Sequence, residues 1–105
     1  MLGDQTLDIT TSTERGRTIA RVSGEIDAAT CDSLSDALNE AIEGDGDVEL
    51  DVSGVTFIDS SGLRALVIAQ QQLGDHRHFV VRGADPRFRR LLRITGLDEI
   101  FAMVD

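Results

Sequence analysis

Alternation of apolar and polar residues predicts four strands along the chain. The first two, residues 7–13 and 18–23, are separated only by a turn at 14–17, so we expect an antiparallel hairpin. A fourth strand covers residues 78–82. The third covers residues 47–53, and its apolar side chains at every second position indicate that one face of the sheet is covered. The wetter face of this strand is expected to carry Glu49 and Asp51.

Apolar positions at steps of three and four predict helices between and after these strands. The first helix covers about 28–43, with a stripe that includes Cys31, and the second covers 60–73. A third helix opens with Asp85 as N-cap and Pro86 at the first helical position, where the missing N–H of proline has no cost. A short closing helix is predicted from Ile100, Phe101 and Val104.

The predicted order of elements is therefore β-β-α-β-α-β-α-α. After the opening hairpin, strands alternate with helices, which indicates an α/β fold with parallel pairing and right-handed crossovers. The connections are short, and the sequence contains no internal repeat, linker or low-complexity segment. We therefore expect a single domain over residues 1–105.

Charge is distributed unevenly along this acidic chain. The formal net charge is −9, yet six of the ten arginines fall between residues 77 and 93, where Asp85 is the only acid. An acidic average repels nucleic acid and anionic membranes, so we expect neither as a direct partner. The basic stretch itself is either a solvated helix face or a surface for a protein partner.

Composition also limits the compartment and the site chemistry. The sequence shows no export signal and no apolar run of the roughly 18 residues that cross a bilayer, and its single cysteine cannot form an internal disulfide. We therefore predict a cytoplasmic protein in which Cys31 is an inert buried residue. His76 and His78 lie near a turn without an acidic or cysteine cluster, so we expect no metal. The absence of a phosphate-cradling glycine loop predicts no nucleotide cofactor.

The segment Asp59-Ser60-Ser61-Gly62 is the strongest candidate for chemistry, because there a strand and its loop give way to a helix. The first backbone N–H groups of a helix lack partners, and the helix dipole is positive there. A hydroxyl at this point can either cap the helix or carry a phosphate. Gly62 lowers helix propensity by roughly 1 kcal/mol relative to alanine, which suggests that another group approaches the backbone closely.

Three segments match a known family pattern in the same order along the chain. Residues 24–27 (Gly-Glu-Ile-Asp) follow the hairpin, residues 51–63 contain the Asp-Ser-Ser-Gly-Leu turn, and residues 92–97 form a C-terminal element. The chain thereby resembles the STAS family, and within it the standalone anti-sigma factor antagonists. Family members commonly have a proline shortly after the first segment, whereas residues 28–31 contain none. The resemblance implies an α/β STAS fold: a mixed sheet of four to five strands, an N-terminal antiparallel hairpin, and about four helices packed mainly on one face.

The resemblance further implies a partner-switching cycle and no catalysis by the chain itself. In such proteins the second serine of the turn, here Ser61 with Ser60 as second choice, is phosphorylated by an anti-sigma factor that is an ATP-dependent serine kinase. The unphosphorylated form, a monomer when free, binds this factor and releases the sigma factor. Phosphorylation blocks binding, and a phosphoserine phosphatase restores it. The residues expected to contact the partner are Asp27, Asp59, Ser60, Ser61, Gly62 and Leu63. Asp27 is also expected to cap a helix, and Asp59 either to cap one or to orient the serine hydroxyl.

Three alternatives stay open at the level of sequence. An enzyme with a nucleophile elbow at Ser60 or Ser61 would need glycine two residues before the serine, and neither serine has it. A phosphoacceptor receiver domain using Asp51 or Asp59 would need a lysine near the phosphate, and the chain has no lysine. A STAS accessory subunit of a lipid-transport or stress-sensing complex would keep the fold and change the partner.

Overall fold

The computed structural model describes residues 7–105, which form a five-stranded sheet and three α-helices. The strands are β1 (Leu7–Glu14), β2 (Arg17–Ile26), β3 (Val48–Ile58), β4 (Phe79–Arg82) and β5 (Ala102–Val104). The helices are α1 (Cys31–Ile42), α2 (Ser60–Leu73) and α3 (Pro86–Thr95), followed by a single 3₁₀ turn at Leu97–Glu99.

The sheet is mixed, and its strands lie side by side in chain order, β1-β2-β3-β4-β5. β1 and β2 pair antiparallel, as the alternation predicts, while β2, β3, β4 and β5 pair parallel. Each parallel step is joined by one of the three helices. The prediction of an α/β fold with a mixed sheet and an N-terminal hairpin is therefore confirmed.

The predicted closing helix is wrong, so the chain has three helices and not about four in the described residues. Ala102–Val104 is instead strand β5, which pairs parallel with Val80–Arg82 of β4. A short apolar run is compatible with both a helix and a strand. Here it forms a strand, because the outer edge of β4 has backbone groups free to pair with it. Gly96 ends α3 with a positive φ of 77°, and the 3₁₀ turn then returns the chain to that edge.

The third strand is longer than the predicted 47–53, because residues 54–58 belong to it as well. β3 continues to Ile58, and its second half pairs with the end of β2 through two irregularities in register. Such irregularities break the strict alternation of side chains, which is why the pattern of residues 54–58 does not indicate a strand. β3 therefore extends well past β4, which pairs only with its first half.

The first helix begins later than predicted, at Cys31, because residues 27–30 form a separate turn. Cys31 is half-buried, so the expectation that it is a buried residue is wrong. Its thiol lies 3.6 Å from the carbonyl of Ala28, at the very start of α1. The first turn of a helix at the edge of the sheet is less covered than the turns that follow it.

A single aliphatic core lies between the sheet and the helices. One face of the sheet carries Val48, Leu50 and Val52 of β3. The helices pack against this face through Leu34 and Leu38 of α1, Leu66 of α2 and Leu92 of α3. The opposite face is less wet than predicted, because Glu49 is only 5% exposed. Its carboxylate pairs with the guanidinium groups of Arg82 at 2.7 Å and Arg17 at 3.5 Å, which compensates its burial.

Candidate functional site

The start of α2 is held by one carboxylate oxygen. Asp59 is the N-cap, and its Oδ1 accepts hydrogen bonds from the N–H groups of Ser61 at 3.0 Å and Gly62 at 3.2 Å. The same oxygen accepts the hydroxyl of Ser61 at 2.6 Å. We call residues 59–62 the Ser61 turn. Asp59 therefore caps the helix, as predicted, and also fixes the direction of one hydroxyl group.

These hydrogen bonds stabilise the ionised form of Asp59. The Ser61 hydroxyl is the largest cause that lowers the pKa of the Asp59 carboxyl, and the N–H groups of Gly62 and Ser61 lower it further. Partial burial opposes the shift but is outweighed. Asp59 is therefore a carboxylate at neutral pH, and the helix start presents a negative charge beside the serine hydroxyl.

The two serines of the turn differ in exposure. Ser60 is exposed at the first position of α2, whereas Ser61 is half-buried and its Oγ is directed at Asp59. Ser61 is thus the serine whose hydroxyl has a defined position and a carboxylate partner. This geometry favours Ser61 over Ser60 as the residue with a chemical role.

Asp27 forms a second turn beside the first. Its Oδ1 accepts the N–H groups of Ala29 at 2.9 Å and Thr30 at 3.1 Å, so it caps residues 27–30 and not α1 directly. The buried side chain of Thr30, missed by the sequence analysis, donates to the carbonyl of Glu25 at 2.8 Å and accepts the N–H of Asp27 at 2.9 Å. In the sequence, a threonine three residues after Asp27 is the pattern that could have predicted this turn.

The sheet brings the two turns to the same end, where its parallel strands finish. Ile26 and Ile58 are register partners at the carboxyl ends of the parallel strands β2 and β3, and the N–H of Asp59 donates to the carbonyl of Ile26 at 3.1 Å. Asp27 and Asp59 each directly follow one of these isoleucines. Two carboxylates and the Ser61 hydroxyl therefore lie together at one end of the sheet.

Gly62 and Leu63 are buried, so their predicted role as direct partner contacts does not fit their positions. Leu63 is 6% exposed and belongs to the core. A Cβ atom on Gly62 would lie 2.5 Å from Cγ2 of Ile26 and 2.7 Å from Cγ1 of Ile58. The group that approaches this glycine backbone is therefore the protein's own core, and the glycine allows the first turn of α2 to rest directly on the sheet.

The described residues offer little for other kinds of site. Within residues 7–105, no group of three or more histidine, cysteine or acidic side chains is arranged to hold a metal ion. His76 and His78 are both exposed. Over the same part of the chain, no helix is long and apolar enough to cross a membrane.

Comparison with known proteins gives a consistent result. Residues 9–105 match a family model described as "Mlab, STAS domain". The chain is 27% identical over 104 residues to the anti-sigma-F factor antagonist RsfB of Mycobacterium tuberculosis, covering 98% of this chain and 85% of that protein. It is 29% identical over 96 residues to the anti-sigma-B factor antagonist of Staphylococcus aureus, covering 90% and 89% respectively.

The fold comparison agrees with the sequence matches. The crystal structure of an anti-sigma factor antagonist from Mycobacterium paratuberculosis superposes with a TM-score of 0.89 at 30% identity, covering 95% of this chain and 86% of that one. The family match extends over nearly the whole chain and includes the hairpin, the five-stranded sheet and the Ser61 turn. The chain therefore belongs to the STAS domain family.

Proposed function

We propose that this chain is an anti-sigma factor antagonist whose unphosphorylated form binds an anti-sigma factor with serine kinase activity. Phosphorylation of Ser61 blocks that binding, and a phosphoserine phosphatase restores it. The relatives named above support the class of partner. The observation that carries the proposal is the hydroxyl of Ser61, held 2.6 Å from the Asp59 carboxylate at the start of α2.

The position of Ser61 suits a group that is modified without loss of the fold. A phosphate at a helix start lies near the positive end of the helix dipole, so the helix tolerates it. The phosphoester oxygen has no proton to donate, so the hydrogen bond from Ser61 to Asp59 is lost on modification. The phosphate, with about −1.5 to −2 charges, then turns away from the carboxylate toward solvent.

The same modification is strongly unfavourable for an interface at this edge. Asp27 and Asp59 already place two negative charges beside Ser61, and a phosphate adds to them at the point where a partner would remove water. A partner complementary to the unmodified surface matches two carboxylates and a hydroxyl group, and a third anionic group there adds repulsion and a desolvation cost. Binding therefore depends on the modification state of one oxygen atom.

The proposed contact surface is smaller than the six residues first expected. Asp27, Asp59 and Ser61 are partly accessible and Ser60 is exposed, so these four can touch a partner. Gly62 and Leu63 support this surface from inside the protein. Gly62 lets α2 rest on the sheet, and Leu63 anchors α2 in the core. The chain is a monomer when free in this proposal.

Phosphorylation by purified kinases tests the proposal directly. The chain is incubated with each member of a panel of anti-sigma factor kinases and ATP, and the modified residue is mapped by mass spectrometry. We expect one kinase to modify Ser61, the Ser61→Ala variant to stay unmodified, and Ser60→Ala to be modified as the wild type is.

A matched control comes from the second serine that is bonded to an aspartate, Ser53, whose Oγ donates to Asp51 at 2.7 Å. Ser53→Ala should be modified normally. Modification at Ser53 or Ser60 in place of Ser61, or no modification by any kinase of the panel, contradicts the proposal.

A further inference from the structure

A groove lies between the end of β3 and α3, beside the Ser61 turn. Residues 55–58 form one wall, and Asp85, Arg87, Phe88 and Leu91 form the other. The groove exists because β4 pairs only with residues 48–51 of β3, which leaves the second half of β3 to face α3. Its volume is about 130 Å³. That is well below the roughly 300–1,000 Å³ of small-molecule sites, and suits a single large side chain.

The β3–α3 groove combines buried apolar lining residues with one unusually exposed aromatic side chain. The phenyl ring of Phe57 is 51% exposed at the mouth, while Val55 and Phe88 close the floor. Ile94, 70% exposed, lies one helical turn beyond Leu91 on α3 and extends the apolar strip. Phe57 at the groove and Ile94 farther along α3 are large apolar side chains in contact with water, and the free energy falls when a partner covers them.

The charge around the groove is opposite to that of the chain. Arg87 lines the groove and Arg90 follows one turn later, whereas Arg89 is occupied by Asp105 at 2.6 Å and by the carbonyl of Ala84. Within residues 7–105, Arg89 is the only residue of α3 that forms an ion pair. The acid in the lining, Asp85, is engaged as N-cap with the N–H of Phe88 at 2.8 Å. The lining itself therefore holds one cation and one carboxylate, and Arg90 beside it gives this side of α3 a local positive excess in a protein of net charge −9. Neither Arg87 nor Arg90 forms an ion pair within residues 7–105.

We propose that the β3–α3 groove is a second contact for the anti-sigma factor, and this inference rests on the function proposed above. The groove receives one large apolar side chain from a segment of that factor whose flanking residues are Asp or Glu. The apolar side chain packs between Phe57 and Leu91, and the flanking carboxylates face Arg87 and Arg90. The charge of the rim selects an acidic segment over a basic one.

The groove and the Ser61 turn are continuous, which is why we assign them to one partner. Ile58 is the last residue of the groove wall and Asp59 is the first residue of the turn. The two patches carry opposite charge, negative at Asp27 and Asp59 and positive at Arg87 and Arg90. A partner that meets both is restricted to a single orientation, because rotating it would bring like charges together.

Affinity measurements with the same kinase panel test this inference. Calorimetry compares the wild type with Phe57→Ala and Arg87→Glu, each checked for folding by thermal denaturation. We expect each variant to weaken binding about tenfold, or about 1.4 kcal/mol, because the loss of an apolar anchor or of a paired arginine at an interface typically has an effect of this size. The loss for Arg87→Glu should diminish at high salt, and that for Phe57→Ala should not.

Matched controls lie at the other end of the sheet. Ile100→Ala removes a 43% exposed apolar side chain near Phe79, and Arg15→Glu reverses a charge in the β1–β2 turn. Neither should change affinity by more than about twofold, as expected for residues outside an interface.

The outcomes separate the two proposals. If a kinase modifies Ser61 but Phe57→Ala and Arg87→Glu bind it as the wild type does, the groove inference is wrong and the proposed function stands. If both variants weaken binding but Ser61 is never modified, the groove inference stands and the proposed switch is wrong. If no kinase of the panel binds the wild-type chain, both are overturned.

Discussion

Two Asp-x-Ser-Gly segments follow each other along β3 and into α2, and they share the same local geometry. In residues 51–54, Oδ1 of Asp51 accepts the N–H of Ser53 at 2.9 Å and its hydroxyl at 2.7 Å. In residues 59–62, Oδ1 of Asp59 accepts the N–H of Ser61 at 3.0 Å and its hydroxyl at 2.6 Å. The pairing of a serine with the aspartate two residues before it is therefore not special to the candidate site.

What differs is the structure that follows each serine. Ser53 lies inside β3, at the register irregularity just before the Ser23–Gly54 pair, and the strand simply continues. Ser61 lies in the first turn of α2, where Asp59 also accepts the N–H of Gly62 and the helix dipole is positive. Only the second site combines a positioned hydroxyl with a surface that tolerates added negative charge. The comparison shows that one hydrogen-bonded motif lies in two different surroundings, and under the proposed function only the copy that begins a helix is modified.

The largest expected effect comes from adding a charge at each serine in turn. Ser61→Asp should lower affinity for the anti-sigma factor about a hundredfold, because it places a third carboxylate beside Asp27 and Asp59, and like charges at an interface cost several kcal/mol. Ser53→Asp should change affinity less than about threefold, although the added charge is the same. Calorimetry of both variants checks the contrast. Equal losses would show that net charge, and not position, controls binding.

The corresponding alanine variant should behave in the opposite way. Ser61→Ala is expected to fold and to bind the anti-sigma factor even after incubation with kinase and ATP, because it has no hydroxyl to accept the phosphoryl group. A pull-down before and after this incubation measures the effect. Loss of binding by Ser61→Ala in the absence of ATP would mean that the hydroxyl is itself an essential contact.

An intermediate effect is expected from the glycine of the Ser61 turn. Gly62→Ala forces a methyl group against Ile26 and Ile58, and overpacking of this kind costs about 1–3 kcal/mol in the free energy of unfolding. Ser60→Ala, at an exposed neighbouring position, should remain within about 0.5 kcal/mol of the wild type. Urea denaturation at constant m-value compares the two. A neutral Gly62→Ala would show that α2 can shift away from the sheet.

The smallest effect concerns acid stability. The pKa of Asp59 is lowered in the folded state, chiefly by the Ser61 hydroxyl, so its contribution to stability is present above the unfolded pKa and is lost as pH falls through the folded value. Asp59→Asn keeps an N-cap but removes this titration, so the variant should be less stable than the wild type at pH 7 and approach it in acid. Denaturation at neutral and strongly acidic pH measures the difference, and a constant gap would contradict the assignment. Ser61→Ala keeps the Asp59 carboxylate but removes the hydroxyl that chiefly lowers its pKa. The stability of this variant should therefore depend less on pH than that of the wild type.

Much of this arrangement was predictable from local patterns. The hairpin, the starts of α2 and α3, and the capping role of Asp59 all depend on residues close in sequence, and these predictions are confirmed. Strand β5 was not predictable, because its three residues become a strand only through the free edge of β4. The environment of Gly62 likewise depends on Ile26, which is distant in sequence and is brought close by the register of β2 and β3.

The close packing of Gly62 has a consequence for how any second protein could tell the two states of Ser61 apart. With its first turn resting directly on Ile26 and Ile58, α2 has no space to move inward. We therefore expect the backbone around Ser61 to keep the same conformation before and after modification. Under the proposed cycle, a kinase and a phosphatase would therefore contact the same backbone and differ only in recognising the free or the phosphorylated Oγ of Ser61. Their footprints would overlap, so one chain could serve only one of them at a time.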